Sequence, residues 1–141
     1  MIVVGVDGSE GGSAALDFAA AEAALRGTRL RIVSAWEIDA LAYGGDLTPA
    51  PLDAATWDAF RARAKQVADD ALAAARKLQP SLDGEALEVQ GQPADVLLEQ
   101  GADVEMIVVG SRGLGGFRRL LLGSVSQQVV QHAACPVVVV R

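Results

Sequence analysis

The sequence predicts an α/β domain built on a five-stranded parallel sheet in the order 3-2-1-4-5, with helices on both faces. Three observations carry that prediction. A length of 141 residues makes one domain, residues 1–141, the natural unit and leaves room for a single well-buried core. Hydrophobic residues at 51% against charged residues at 21% fit a globular chain rather than a disordered one. Short, apolar, β-branched runs alternate with longer stretches of helical spacing in the order β-α-β-α-β-α-β-α-β. Such alternation means a parallel sheet covered on both sides.

The elements follow in turn. "IVVGV" (residues 2–6) is continuously apolar, as a strand buried on both faces must be. It runs into "DGSEGG", and a helix follows, with Ser9 as N-cap, Glu10 in the first turn and Gly27 as its stop. Leu16, Ala19, Ala20 and Ala23 recur at helical spacing, and the alanines permit close packing on a sheet. "RLRIVSAW" (29–36) is the second strand. Residues 37–56 form a loop of two prolines and a Gly-Gly pair, a length usually tied to function or disorder. Residues 53–79 make a long helix that ends before Pro80. "EALEVQ" (85–90) is a weaker strand, expected at an edge. Pro93 suits the first position of a short helix, "PADVLLEQ", closed by Gly101. "VEMIVVG" (104–110) is a central strand, a helix spans about 124–134, and "PVVVV" (136–140) is the last strand.

The first and fourth strands are the most apolar of the internal ones and belong at the centre. Right-handed crossovers then give the order 3-2-1-4-5. The gap between these two strands is the topological switch point, where open α/β sheets bind ligands beyond the carboxyl ends of their strands. Two loops meet there: "VDGSEGG" after the first strand and "GSRGLGGFRRLLLGSVS" (110–126) after the fourth.

Glycines after a buried strand let the backbone come close to a ligand and turn its N–H groups inward. Gly110, Gly113, Gly115, Gly116 and Gly123 do so here, and Ser124 with Gln127 has the form of a capping box. A helix starting in the crevice offers free N–H groups and a positive dipole end to phosphate. Ser124 and Ser126 add hydroxyls, and Arg112, Arg118 and Arg119 add charge to a chain whose net charge is -6. A glycine-rich turn without a ligand is the alternative, and many α/β domains have one. Neither the P-loop pattern nor a dinucleotide fingerprint is present.

The spacing Gly110-x2-Gly113-x9-Gly123-Ser124 resembles the G-2x-G-9x-G(S/T) pattern of the ATP-binding branch of the universal stress protein family. The likeness covers the whole chain: "VVGVDGSE", "GQPADVLLE" and the segment "MIVVGSRGLGGFRRLLLGSVSQQVVQHAACPVVVV". It implies an adenine nucleotide alpha hydrolase-like fold and a cytoplasmic, ATP-binding homodimer of the stress response, with at most slow ATP hydrolysis. By the resemblance, Asp7 meets the adenine or ribose, the alternative being that it caps the helix turn. Val6 and Ala35 line the base pocket, and Val109 and Gly110 pack near the ribose. Arg112, Gly113, Gly123, Ser124, Val125 and Ser126 cradle the phosphates, which would hold Mg²⁺ or Mn²⁺ themselves. Gly5 departs from the proline or alanine of many relatives and is expected to loosen that wall.

Other residues carry less. His132 is the only histidine and Cys135 the only cysteine; two such ligands do not make a metal site, and Cys135 reads as a small buried hydrophobe. A lone cysteine also excludes an intrachain disulfide. Net acidity argues against nucleic acid as a partner. No apolar run is long enough for a membrane span, and "MIVVGVDGSE" lacks the features of a signal peptide. Trp36 and Trp57 flank the 37–56 loop and are expected to pack there. An exposed edge of four valines is an aggregation hazard, so strand 136–140 is expected to pair across a homodimer. Two rival readings are a nucleotide-free interaction module of the same fold and a nucleotidyl transferase-like or ATP pyrophosphatase-like enzyme. The latter would show "HxGH" or "SGGxDS" at the first loop, where this chain has "VDGSEGGS".

Overall fold

Strand β1 (Ile2–Gly5) shows why the central strands are apolar throughout. Ile2 and Val4 pack into one core layer, Val3 into a second on the opposite face, and all three are fully buried. The structure, a computed structural model, describes residues 1–37, 53–114 and 122–141. The elements after β1 are α1 (Glu10–Arg26), β2 (Leu30–Trp36), α2 (Ala54–Leu78), β3 (Gly84–Gln90), α3 (Pro93–Gln100), β4 (Met106–Gly110), α4 (Ser124–His132) and β5 (Val137–Val140).

All four strand pairings are parallel, and the order is β3-β2-β1-β4-β5. Ile2 lies opposite Leu30 on one side and Met106 on the other, so β1 and β4 are adjacent at the centre. The layer under α1 and α2 gathers Leu16, Ala19, Ala23 and Ala75 against Val4, Ile32 and Val108. The layer under α3 and α4 gathers Val96, Leu97 and Val129 against Val33, Ile107 and Val109. Ala15, Ala19, Ala20 and Ala23 of α1 are fully buried, which brings the helix close onto the sheet.

Local chemistry sets the element ends. Ser9 caps α1, its Oγ accepting from Gly12 N at 3.1 Å, and Gly27 stops the helix in the left-handed conformation at φ 62°. Asp53 caps α2, accepting from Thr56 N at 2.9 Å and from Thr56 Oγ1 at 2.6 Å. These two bonds hold the Asp53 carboxyl below its ordinary value, the hydroxyl bond being the larger cause. Pro93 stands in the first turn of α3. Gly101 follows α3 for lack of space, since a Cβ there would overlap Ile107 and stand 2.8 Å from the Leu97 carbonyl. Trp36 and Trp57 pack edge to face, ring centroids 6.0 Å apart.

Three expectations change. Helix α4 begins one residue earlier in its cap than the sequence implies. Gly123 is the N-cap and Ser124 the first helical residue, so the Ser124–Gln127 capping box does not form. The reason is that Gly123, extended at φ -77° and ψ 167°, turns its N–H back to Ser111 O at 2.7 Å. The wall at Gly5 is not loosened either, because Leu97 fills the space: a Cβ at Gly5 would stand 2.8 Å from Leu97 Cδ1. Cys135 is half-buried rather than buried, at the corner between α4 and β5. The expectations for residues 38–52 of the long loop, and for Gly115, Gly116, Arg118 and Arg119, lie outside the described residues.

Candidate functional site

The two central strands end side by side, and the chain leaves them in opposite directions. After β1 it turns through Asp7 and Ser9 into α1; after β4 it passes Ser111 and Arg112. Backbone bonds pin both exits: Val6 N donates to Val33 O at 2.9 Å, and Ser111 N to Val140 O at 2.6 Å. Between the exits lies a cavity of about 600 Å³. That volume suits a nucleotide-sized molecule, and the place is the switch point of the sheet.

All eleven residues that the resemblance implies for the site line this one cavity. Val6 and Asp7 stand on the β1 side and Ala35 on β2. Val109 and Gly110 end β4, with Arg112 and Gly113 just beyond. Gly123, Ser124, Val125 and Ser126 form the start of α4.

The cavity has two chemically distinct walls. One is the upper layer of the second core, where Val33, Leu97 and Val109 are buried and Ala35 packs against them. Such a wall takes a flat apolar group. The other wall is the first turn of α4. No side chain caps Gly123 there, so the first N–H groups of the helix keep their hydrogen-bonding capacity and its dipole end faces the site. Ser126, almost fully buried, fixes this turn by donating from Oγ toward Gly123 O (3.0 Å) and Ser111 O (3.2 Å). Arg112 is exposed at the rim and is the cation of the described lining. An uncapped helix start beside an arginine is suited to an anion.

Asp7 lines the cavity, where the resemblance would have it meet the adenine or ribose, and it also has partners within the protein. Its Oδ1 accepts from Ser9 N at 3.0 Å and from Ser9 Oγ at 2.5 Å; its Oδ2 accepts from Leu114 N at 3.0 Å. It therefore builds the turn into α1, as the alternative reading has it, and its place in the lining keeps it within reach of the role the resemblance implies. Among the described residues no three histidine, cysteine, aspartate or glutamate side chains group as a metal site requires.

Gly5, expected at the wall, lines the cavity too, and sequence reasoning missed five lining residues: Gly12, Val33, Pro93, Leu97 and Leu114. Two had a readable signal. Val33 lies two residues before Ala35 and so shares its face of β2, and Leu97 lies one helical turn after Pro93. The rest depend on how the loops meet.

Comparison with known proteins places this geometry. The sequence profile described as the universal stress protein family matches residues 1–141. A universal stress protein of Mycobacterium tuberculosis is 35% identical over 141 residues, covering 99% of this chain and 44% of that protein. One of Thermus aquaticus is 36% identical over 144 residues, covering 99% of this chain and 97% of that protein. The chain thus spans less than half the length of the mycobacterial relative. The crystal structure of a universal stress protein in complex with cAMP superposes with a TM-score of 0.73 at 26% identity, covering 99% of this chain and 95% of that one. A universal stress protein from Archaeoglobus fulgidus in complex with dAMP gives 0.70 at 28% identity, covering 99% and 96%.

Proposed function

Because the chain belongs to the universal stress protein family, we propose that it binds ATP in the cavity between β1 and β4 and serves as a nucleotide-dependent regulator of the stress response in the cytoplasm. The observation that carries the reading is the pairing of the apolar Val33–Ala35–Leu97–Val109 wall with the uncapped start of α4 and Arg112 in one cavity. The base would lie on the first and the phosphates against the second. A divalent cation, Mg²⁺ or Mn²⁺, would come with the phosphates, which supply its ligands. Binding rather than turnover is the expected activity, with hydrolysis slow at most. Asp7, the carboxylate of the described lining, is already engaged by three hydrogen bonds from Ser9 and Leu114. The neighbours solved with cAMP and dAMP favour a second reading, in which a nucleoside monophosphate is the ligand.

Titration calorimetry of the purified chain with ATP and Mg²⁺, with AMP and with cAMP tests both. A saturable heat with ATP is the expected result. Tighter binding of AMP or cAMP would favour the second reading. No binding of any of the three would refute the site and leave the nucleotide-free interaction module.

The proposal includes a homodimer through residues 136–140. Val137–Val140 form the edge strand β5, and all four are only half-buried. An apolar edge of this kind with open backbone groups recruits another strand. Sedimentation equilibrium is expected to give twice the chain mass of 14.6 kDa; a monomer at micromolar concentration would overturn the dimer.

A further inference from the structure

Gly113, the second glycine of the spacing, is small because of Asp7. Among the described residues, glycines with positive φ are Gly8, Gly27 and Gly91. Gly113 is therefore outside the left-handed region, and a positive φ is not what demands glycine there. Space does. A Cβ at Gly113 would overlap Asp7 Oδ2 and stand 3.5 Å from Asp7 Cγ. The same oxygen accepts the next amide, Leu114 N, at 3.0 Å. The other oxygen holds both donors of Ser9, and Ser9 Oγ accepts from Gly12 N at 3.1 Å. One carboxylate thus ties the loop after β4 to the cap of α1, across 107 residues of sequence.

We propose that Asp7 is a positioning residue. Its carboxylate clasps the two loops of the cavity together, and the bare Cα of Gly113 is the space through which it reaches Leu114. An ionised carboxylate accepts from every side and so satisfies all three donors. An amide cannot, because its NH₂ would face an N–H or take the place of an acceptor. The clasp fixes Arg112 and Gly113 relative to the start of α1 before any ligand arrives. Its effect on ligand affinity rests on the nucleotide-site reading; the clasp itself does not.

The test is a double-mutant cycle on the full chain without ligand, with Asp7→Ala, Gly113→Ala and the pair together. Melting temperature and hydrogen exchange at the Leu114 amide are read for each. The Leu114 amide should be protected in the parent and exchange at least about tenfold faster in both single variants. Gly113→Ala should lower the melting temperature in the parent and cost nothing further once Asp7 is alanine, because the clash is gone. The near-isosteric Asp7→Asn serves if Asp7→Ala folds poorly, and protection should then be lost at Leu114 or at Ser9. An unprotected Leu114 amide in the parent, or an equal cost of Gly113→Ala with and without Asp7, would overturn the clasp. Calorimetry with ATP and Mg²⁺ on the same four proteins should show the same non-additivity in affinity. Intact Leu114 results with no nucleotide binding by the parent would overturn the reading of the site and leave the clasp standing.

Discussion

Gly110→Ala should lower the melting temperature by roughly 4–12 °C, the largest stability loss expected of any single-methyl change in the site. Gly110 closes β4 where the first turn of α1 crosses it. A Cβ there would stand 2.6 Å from both the carbonyl carbon and the oxygen of Gly11 and 3.1 Å from Arg112 O. The obstacle is backbone, so no rotamer change relieves it. Either α1 must lift from the sheet or β4 must shift, and both movements open the layer where Ala15, Leu16 and Ala19 are buried against Val108. Overpacking of this kind costs about 1–3 kcal/mol, occasionally more. The reciprocal change, Gly11→Ala, meets Arg112 O and belongs to the same contact. Thermal unfolding followed by circular dichroism checks the expectation. A melting temperature within a degree or so of the parent would show that α1 and β4 are not held this closely.

Gly123→Val is the opposite case: it should remove nucleotide binding and leave the fold intact. A Cβ at Gly123 makes only ordinary contacts, 3.4 Å to Ser111 O and 3.6 Å to Arg112 Cα. The backbone is extended there, at φ -77° and ψ 167°, a conformation in which β-branched residues are at ease. The added methyl groups lie at the N-cap of α4, against the N–H groups that the proposed phosphates would use. Losing one or two hydrogen bonds to a charged group lowers affinity by about ten- to a hundredfold or more. Calorimetry with ATP and Mg²⁺, beside a melting curve, reads both quantities on one sample. Affinity equal to the parent's would exclude the start of α4 as the phosphate site. A large drop in melting temperature would instead show that Gly123 is needed for packing.

The contrast between these glycines shows how much of the site can be read from the residues alone. Their spacing marks the crevice, but the reason for each differs and appears only in three dimensions. Gly110 makes room for a backbone, Gly113 for a carboxylate, and Gly123 leaves a helix end uncovered. The capping box fails for the same reason. Ser124 and Gln127 have the right local spacing, but the bond from Gly123 N to Ser111 O moves the cap back by one residue. At Gly5 the deciding neighbour is likewise distant in sequence: Leu97 comes from another element and fills the gap.

By itself the sequence determined what depends on local period and composition. Short, continuous β-branched runs such as "IVVG" and "MIVVG" read as strands covered on both faces, and their alternation with helices points to a parallel sheet. The sheet order and the crevice follow, whereas the eleven residues found around one cavity were implied by the family resemblance of the glycine spacing. Tertiary structure alone decided which distant groups touch. The Asp7–Leu114 bond, the Gly11–Gly110 approach and the Leu97 wall each join segments far apart in the chain. They depend on strand register and helix seating to within an ångström or less, and residue spacing along a single chain carries no such measure of distance.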